Sequence, residues 1–173
     1  MWARLATYNA QPFITVYKGK TMAIEIERKY LVTGTDWRQA TGIRLSQGYL
    51  NRDKERTVRV RIAGDTAFLT IKGATHGASR AEFEYAVPLH DAEQMLALSD
   101  GPVVEKIRHK VCYQGLTWEV DEFLGENLGL VVAEVELERE DQPFEKPQWV
   151  GDEVTHDPRY YNSNLAAHPY SAW

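Results

Sequence analysis

The chain has 173 residues, 43% of them apolar and 26% charged, which fits one globular domain with its own core and excludes wholesale disorder. Twenty Lys and Arg against twenty-five Asp and Glu give a net charge of −5, so a polyanionic partner must be met by a local cluster of bases. The lone Cys112 excludes an intrachain disulfide and a C-x-x-C metal site, and no segment approaches the roughly 18 apolar residues of a membrane span.

Met1 to Thr21 mixes Trp2, Tyr8, Phe13 and Tyr17 with Pro12 and Gly19 at no sustained period, and Met22 stands directly before the first patterned segment. Residues 1–21 read as an extension outside the fold and residues 22–173 as the domain. The opening also lacks the apolar run of a secretory signal, so the expected compartment is the cytoplasm, with neither nucleic acid nor membrane as partner. From Ala23 onward strict alternation dominates, the mark of strands with two unlike faces. Ala23 to Val32 is the first predicted strand, Thr35 to Gly42 a short helical turn, and Arg44 to Leu50 a second strand. Thr57 to Ala63 and Thr66 to Lys72 flank Gly64-Asp65, a two-residue hairpin connection. Gly73 to Ser79 reads as a loop without the strand-to-helix setting of a phosphate loop, and Glu82 to Val87 as another strand. Asp91-Ala92-Glu93-Gln94 resembles a capping box opening a helix to about Leu98, with Met95, Leu96 and Leu98 toward the core. Val103 to Tyr113 and Leu116 to Phe123 form a second hairpin around Gln114-Gly115, and Leu130 to Arg139 is the last long strand. Pro143, Pro147 and Pro158 punctuate a tail with one short helix near Tyr160 to Ala167. Pairs are local and no βαβ rhythm appears, which predicts a mainly β (α+β), barrel-like antiparallel architecture with helices outside.

The ionisable residues keep strand parity. Glu25, Glu27 and Lys29 share one face, as do Arg59 and Arg61, Glu82 and Glu84, Lys106, Arg108 and Lys110, and Glu134, Glu136 and Glu138. With Gly64-Asp65 as a turn, Thr57 opposes Lys72, so Lys72 joins Arg59 and Arg61. With Gln114-Gly115 as a turn, Arg108 opposes Asp121 and Lys110 opposes Glu119. Any antiparallel sheet with one wet face alternates apolar and charged residues, and for a single strand that is the simpler reading. Rows of one sign on five segments are different: a merely solvated face mixes signs to avoid repulsion between neighbours. Carboxylate rows suit a hard divalent cation, and rows of Arg and Lys suit phosphate oxygens. One lumen holding both fits a metal–polyphosphate complex.

Other conspicuous residues receive plainer readings. His109 has outward parity and the remaining histidines show no ligand spacing. Cys112 reads as a packed thiol at the barrel rim, Trp118 as shell packing under a helix, and Trp37 and Trp149 as packing residues. Tyr160-Tyr161-Asn162 is either a lid or a chain end.

Glu25-Ile26-Glu27-Arg28-Lys29 resembles the ExExK signature that opens the CYTH domain of the triphosphate tunnel metalloenzymes. The order that follows supports it: Gln47-Gly48-Tyr49-Leu50, Val58-Arg59-Val60-Arg61, Thr70-Ile71-Lys72, Glu82-Phe83-Glu84, Glu105-Lys106-Ile107-Arg108, Asp121, Glu134-Val135-Glu136 and the tail with Arg159. The chain is similar to the short, single-domain bacterial members from Met22 to about Ala167. The resemblance implies a closed eight-stranded antiparallel barrel open at both ends, often in a homodimer. It implies hydrolysis of a triphosphate with Mg²⁺ or Mn²⁺, with inorganic tripolyphosphate split to pyrophosphate and phosphate as the leading reaction. Lys29, Arg59, Arg61, Lys72, Lys106, Arg108 and Arg159 would bind substrate. Glu25, Glu27, Glu134 and Glu136 would bind metal, with Glu82, Glu84 and Asp121 as further acidic lumen residues. Glu25, Glu27 and Lys29 would carry the catalysis, one of the two glutamates taking the proton of the attacking water. The alternatives are a class IV-type adenylate cyclase, a thiamine or nucleoside triphosphatase, and a non-catalytic polyphosphate- or nucleotide-binding module.

Overall fold

A computed structural model describes residues 24–77 and 79–173. The predicted extension of residues 1–21 and the first residue of the first predicted strand, Ala23, lie outside the described residues. The strands are β1 (Ile24–Val32), β2 (Gly42–Asn51), β3 (Arg56–Ala63), β4 (Thr66–Gly73), β5 (Ser79–Ala86), β6 (Val104–Tyr113), β7 (Leu116–Phe123), β8 (Val131–Glu136) and β9 (Val150–Glu153). They form one antiparallel sheet in the order β5-β4-β3-β2-β6-β7-β8-β1-β9, and β1 pairs back onto β5 to close eight of them into a barrel. The seam is short. Among the described residues, Ile24↔Ala81, Glu25↔Arg80 and Ile26↔Ser79 join β1 to β5, and β9 pairs with β1 farther along, at Tyr30 and Val32.

Both predicted hairpin registers hold. Ala63 opposes Thr66 and Thr57 opposes Lys72, while Tyr113 opposes Leu116 and Arg108 opposes Asp121. Gln114 and Gly115 both have positive φ, 48° and 80°, the conformation of a type I′ turn whose twist matches the flanking strands. Other elements depart from expectation. β5 starts at Ser79 rather than Glu82, because a tight link with a bridge between His76 and Ser79 replaces a longer loop. Helix α1 (Leu89–Ala97) starts before the expected capping box. Pro88 holds the N-cap and its carbonyl accepts the Ala92 amide, so Asp91 falls in the first turn, where its charge still suits the helix dipole. The helix stops at Ala97, leaving Leu98 at its C-cap and 74% exposed instead of in the core. β8 ends at Glu136, not Arg139, and β9 is a strand that no alternation signalled, since its four residues, Val-Gly-Asp-Glu, are too few to show a period.

The apolar core lies mainly outside the barrel wall. Tyr30, Trp37, Trp118, Val120, Ala133, Val135, Leu137 and Trp149 form one outer cluster. Trp118 is fully buried among the rings of Tyr30, Phe144 and Trp149. Its cover is therefore the connection between β8 and β9, not a helix. His109 has the outward parity expected, and its Nδ1 lies 2.7 Å from the Ala40 carbonyl while its ring meets Trp37. Val60 and Ala67 meet Ala92 beneath α1. Gly48 is needed here: a Cβ would stand 1.9 Å from the Ser99 hydroxyl and 3.1 Å from Leu96, at the end of that helix.

A third cluster fills one end of the barrel. Tyr49, Val104, Phe123, Leu130 and Val132 carry lumen parity and pack on Leu165 and Ala166 of the tail, at the end of helix α2 (Asn162–Leu165). The expectation of a barrel open at both ends is thus corrected, because the tail buries its apolar residues inside one mouth. Among the described residues no helix is long and apolar enough to cross a membrane. Replacing Trp118 by Ala removes the centre of the outer cluster and should cost about 3–5 kcal/mol in urea unfolding, with the barrel's β spectrum retained. A loss below about 1 kcal/mol would show that the cluster does not hold the shell.

Candidate active site

Alternation puts one side chain in two into the lumen, and closing the sheet turns separate charged rows toward one another. The result is a cavity of about 1270 Å³, above the range of roughly 300–1,000 Å³ usual for small-molecule sites. Glu25, Glu27, Lys29, Arg59, Arg61, Lys72, Glu82, Glu84, Arg108, Glu134 and Glu136 all line it. Lys106 and Asp121 have the same parity but lie sealed at the plugged end, each side chain 1% exposed. Tyr161, Asn162 and Ser163 line that end as its floor, so this part of the tail is not a lid, and Asn162 accepts from Lys106 at 3.4 Å.

Two sequence readings are not met. The Arg159 side chain is 64% exposed and absent from the cavity wall. Asp157, two residues earlier, accepts from it at 2.6 Å, and its guanidinium lies over the rings of Tyr160 and Trp173. Cys112 is exposed rather than packed. Conversely, Arg80, Tyr49 and Thr155 line the cavity, although the sequence reading gives them no site role. Arg80 was legible in principle: it has the parity of Glu82 and Glu84, and starting that strand two residues earlier brings it into the row.

The lumen charges are held in pairs. Lys29 contacts Glu27 at 2.6 Å and also Glu134, the residue directly opposite it on β8. Lys72 bridges Glu25 at 2.9 Å and Glu82 at 3.0 Å. Arg80 lies 2.6 Å from Glu25 and 3.6 Å from Glu27. Arg108 reaches Asp121 at 2.6 Å, Glu134 at 3.0 Å and also Glu119. Arg59 and Arg61 share a single carboxylate, Glu84, at 3.4 and 3.0 Å.

Burial alone would drive these groups neutral, and the partners decide the outcome. Burial pushes the Glu134 carboxyl up, but Lys29 and Arg108 outweigh it and hold Glu134 well below the carboxylate range. Burial likewise opposes ionised Asp121, and Arg108 and Lys106 override it. At Lys29 burial pulls downward and Glu134 and Glu27 pull the amine above its usual value. At Lys106 burial prevails over Asp121 and brings the amine down to about 8, still protonated at neutral pH. Burial lifts the Tyr49 phenol to about 12, so it stays neutral.

Glu119 opposes Glu134 across β7–β8, and Arg108 neutralises that like-charged pair. Glu27 opposes Glu136 across β1–β8 in the same way, and Glu136 has no ion pair among the described residues. Directly opposed like charges repel, so this pair invites a cation. No three Asp, Glu, His or Cys groups among the described residues converge into a ready cage. All-oxygen donors in ones and twos fit a hard ion such as Mg²⁺, which takes one or two carboxylates and completes its shell with water and substrate phosphates.

Residues 23–170 match the CYTH domain. An inorganic triphosphatase from Acetivibrio thermocellus is 51% identical over 151 residues, covering 86% of this chain and 97% of its own length. An inorganic triphosphatase from Nitrosomonas europaea is 37% identical over 146 residues, covering 82% and 96%. A crystal structure of an inorganic triphosphatase superposes with a TM-score of 0.62 at 35% identity, covering 84% of this chain and 95% of that one.

Asp121→Asn leaves the buried Lys106 without its counter-charge and should cost about 3–5 kcal/mol at pH 7. The sign of the pH effect follows from Asp121 being depressed in the fold. Its stabilisation is present above the ordinary carboxylate range and is lost as pH falls through the lower folded value, because the unfolded chain takes up the proton first. Urea unfolding across acidic pH should therefore show a shallower acid loss in Asp121→Asn than in the wild type. An equally steep loss would remove Asp121 from the account.

Proposed function

We propose, from the premise that this chain belongs to the CYTH domain family, that it is an inorganic triphosphatase. It splits tripolyphosphate into pyrophosphate and phosphate inside the barrel. The observation that carries this reading is the convergence of Lys29, Arg59, Arg61, Lys72 and Arg108 on one cavity closed at its far end. Arg59 and Arg61 with a single shared carboxylate are the least neutralised of these bases. Burial and then the like charge of Arg59 lower Arg61, which is the electrostatic condition an entering polyanion relieves.

Phosphoryl transfer needs positioning and charge neutralisation more than covalent chemistry. Arg59, Arg61 and Lys72 grip phosphate oxygens on the β3–β4 wall, and Arg108 does so from β6. Lys29 neutralises charge on the oxygens nearest Glu27 and Glu134. Water attacks a terminal phosphorus in line: a new O–P bond forms, the bridging P–O bond breaks, pyrophosphate departs, and the proton passes to the carboxylate of Glu25 or Glu27. Glu27, Glu134 and Glu136, with Glu25, are the residues that would hold Mg²⁺ or Mn²⁺, which supplies charge neutralisation across the phosphate oxygens. The lumen carries about as many carboxylates as bases, so a highly charged anion is accommodated best together with a divalent cation. The free, exposed Cys112 suits a reducing cytoplasm.

Phosphate release from tripolyphosphate and from ATP, with Mg²⁺ and with EDTA, tests the reading, with cyclic AMP measured alongside. Turnover of tripolyphosphate that requires the metal is expected, and cyclic AMP from ATP or binding without turnover would contradict it. Glu25→Gln should reduce kcat by at least about 100-fold with the fold intact, whereas Arg59→Ala should mainly raise KM. Near wild-type phosphate release by Glu25→Gln would remove it from the catalytic assignment.

A further inference from the structure

The lumen ion pairs link into a chain of alternating sign. It runs Glu82, Lys72, Glu25, Arg80, Glu27, Lys29, Glu134, Arg108, Asp121 and Lys106, crossing β5, β4, β1, β8, β6 and β7. It passes through the seam, where three residue pairs among the described residues join β1 to β5. Arg80 stands there, directly opposite Glu25. Among the described residues it is the only side chain that ion-pairs with both Glu25 and Glu27. Lys72 reaches the first glutamate and Lys29 the second, but neither reaches both.

Glu25 and Glu27 are two residues apart on one strand face, so their charges repel and their rotamers spread unless a cation stands between them. A lysine would satisfy one carboxylate as a point charge. The planar guanidinium presents several donors in a fixed fork and spans two. Glu25 and, after it, Glu27 hold Arg80 charged despite its burial.

We propose that Arg80 is a positioning residue of the triphosphatase reaction. It fixes the separation and aim of the Glu25 and Glu27 carboxylates and does not itself grip the polyphosphate. The inference rests on the function proposed above. It adds that the seam of the barrel, not only its phosphate-binding wall, sets the rate.

The test compares the wild type with Arg80→Ala and Arg80→Lys in tripolyphosphate hydrolysis, with thermal unfolding as a control on folding. Arg80→Ala should lose about 10- to 100-fold in kcat, the usual range for removing a group that orients catalytic ligands, with KM within about threefold. Its affinity for tripolyphosphate by calorimetry in EDTA should stay within the same threefold. Millimolar guanidinium should restore part of kcat, and Arg80→Lys, which grips one carboxylate, should fall between the two. If Arg80→Ala fails to fold, Arg80→Lys carries the same kcat-against-KM comparison. A tenfold rise in KM with kcat kept would make Arg80 a substrate contact and overturn the proposal. Unchanged kcat in Arg80→Ala, or full wild-type kcat in Arg80→Lys, would overturn it as well. These failures differ from failure of the function itself, in which the wild type releases no phosphate.

Discussion

The structure depends on keeping charges of both signs inside a barrel and away from bulk water. Each buried ion costs several kcal/mol of desolvation, and opposite charges at close range must return most of that. Lys106, Asp121, Lys29 and Glu134 are almost wholly buried and stay ionised because each lies against a partner of opposite sign. The pairing runs as one chain across six of the eight barrel strands, with Arg59, Arg61 and Glu84 as a separate group. Removing one member takes a counter-charge from each of its neighbours, and at the end of the chain it leaves Lys106 with no ion-pair partner among the described residues once Asp121 is gone.

That interior forces the rest of the fold outward. Small barrels usually fill their lumen with apolar side chains. Here the apolar residues face out on the same strands and need external cover. Helix α1 supplies it over Val60 and Ala67, and the β8–β9 connection over Trp118 and Tyr30. The end occupied by Leu165 and Ala166 has an apolar interior. The plug makes the lumen a blind pocket, so any ligand of the lumen enters and leaves by one mouth. Water exclusion at the closed end strengthens the electrostatic interactions there.

Much of this was readable in the sequence because a strand's period of two forces every second residue to one face. Glu25, Glu27 and Lys29, or Arg59 and Arg61, need no structure to be assigned a common side, and the two tight turns carried Lys72 and Asp121 to the same side. Local pairing and the charge rows suggested a barrel-like sheet with one lumen, but the closed eight-stranded form came through family resemblance, because the β1–β5 seam joins segments more than fifty residues apart with no local signal. The tail defeated local reasoning for a different reason. Arg159 was expected to bind substrate from the tail, yet Asp157 two residues away captures it, and a short-range contact of that kind leaves no periodic trace. Arg80 was missed at a boundary: the glycines at 73 and 77 suggested a long loop, and the strand resumes sooner than they imply.

The central claim is that polyphosphate is bound and cleaved within this charged lumen. A crystal structure of the chain with tripolyphosphate and Mg²⁺ tests it most directly. The account predicts phosphate density inside the barrel, against Arg59 and Arg61 on one wall and Arg108 on the other, with the metal beside Glu27 and Glu136. Tripolyphosphate bound on the outer surface, with the lumen ion pairs unchanged, would contradict it.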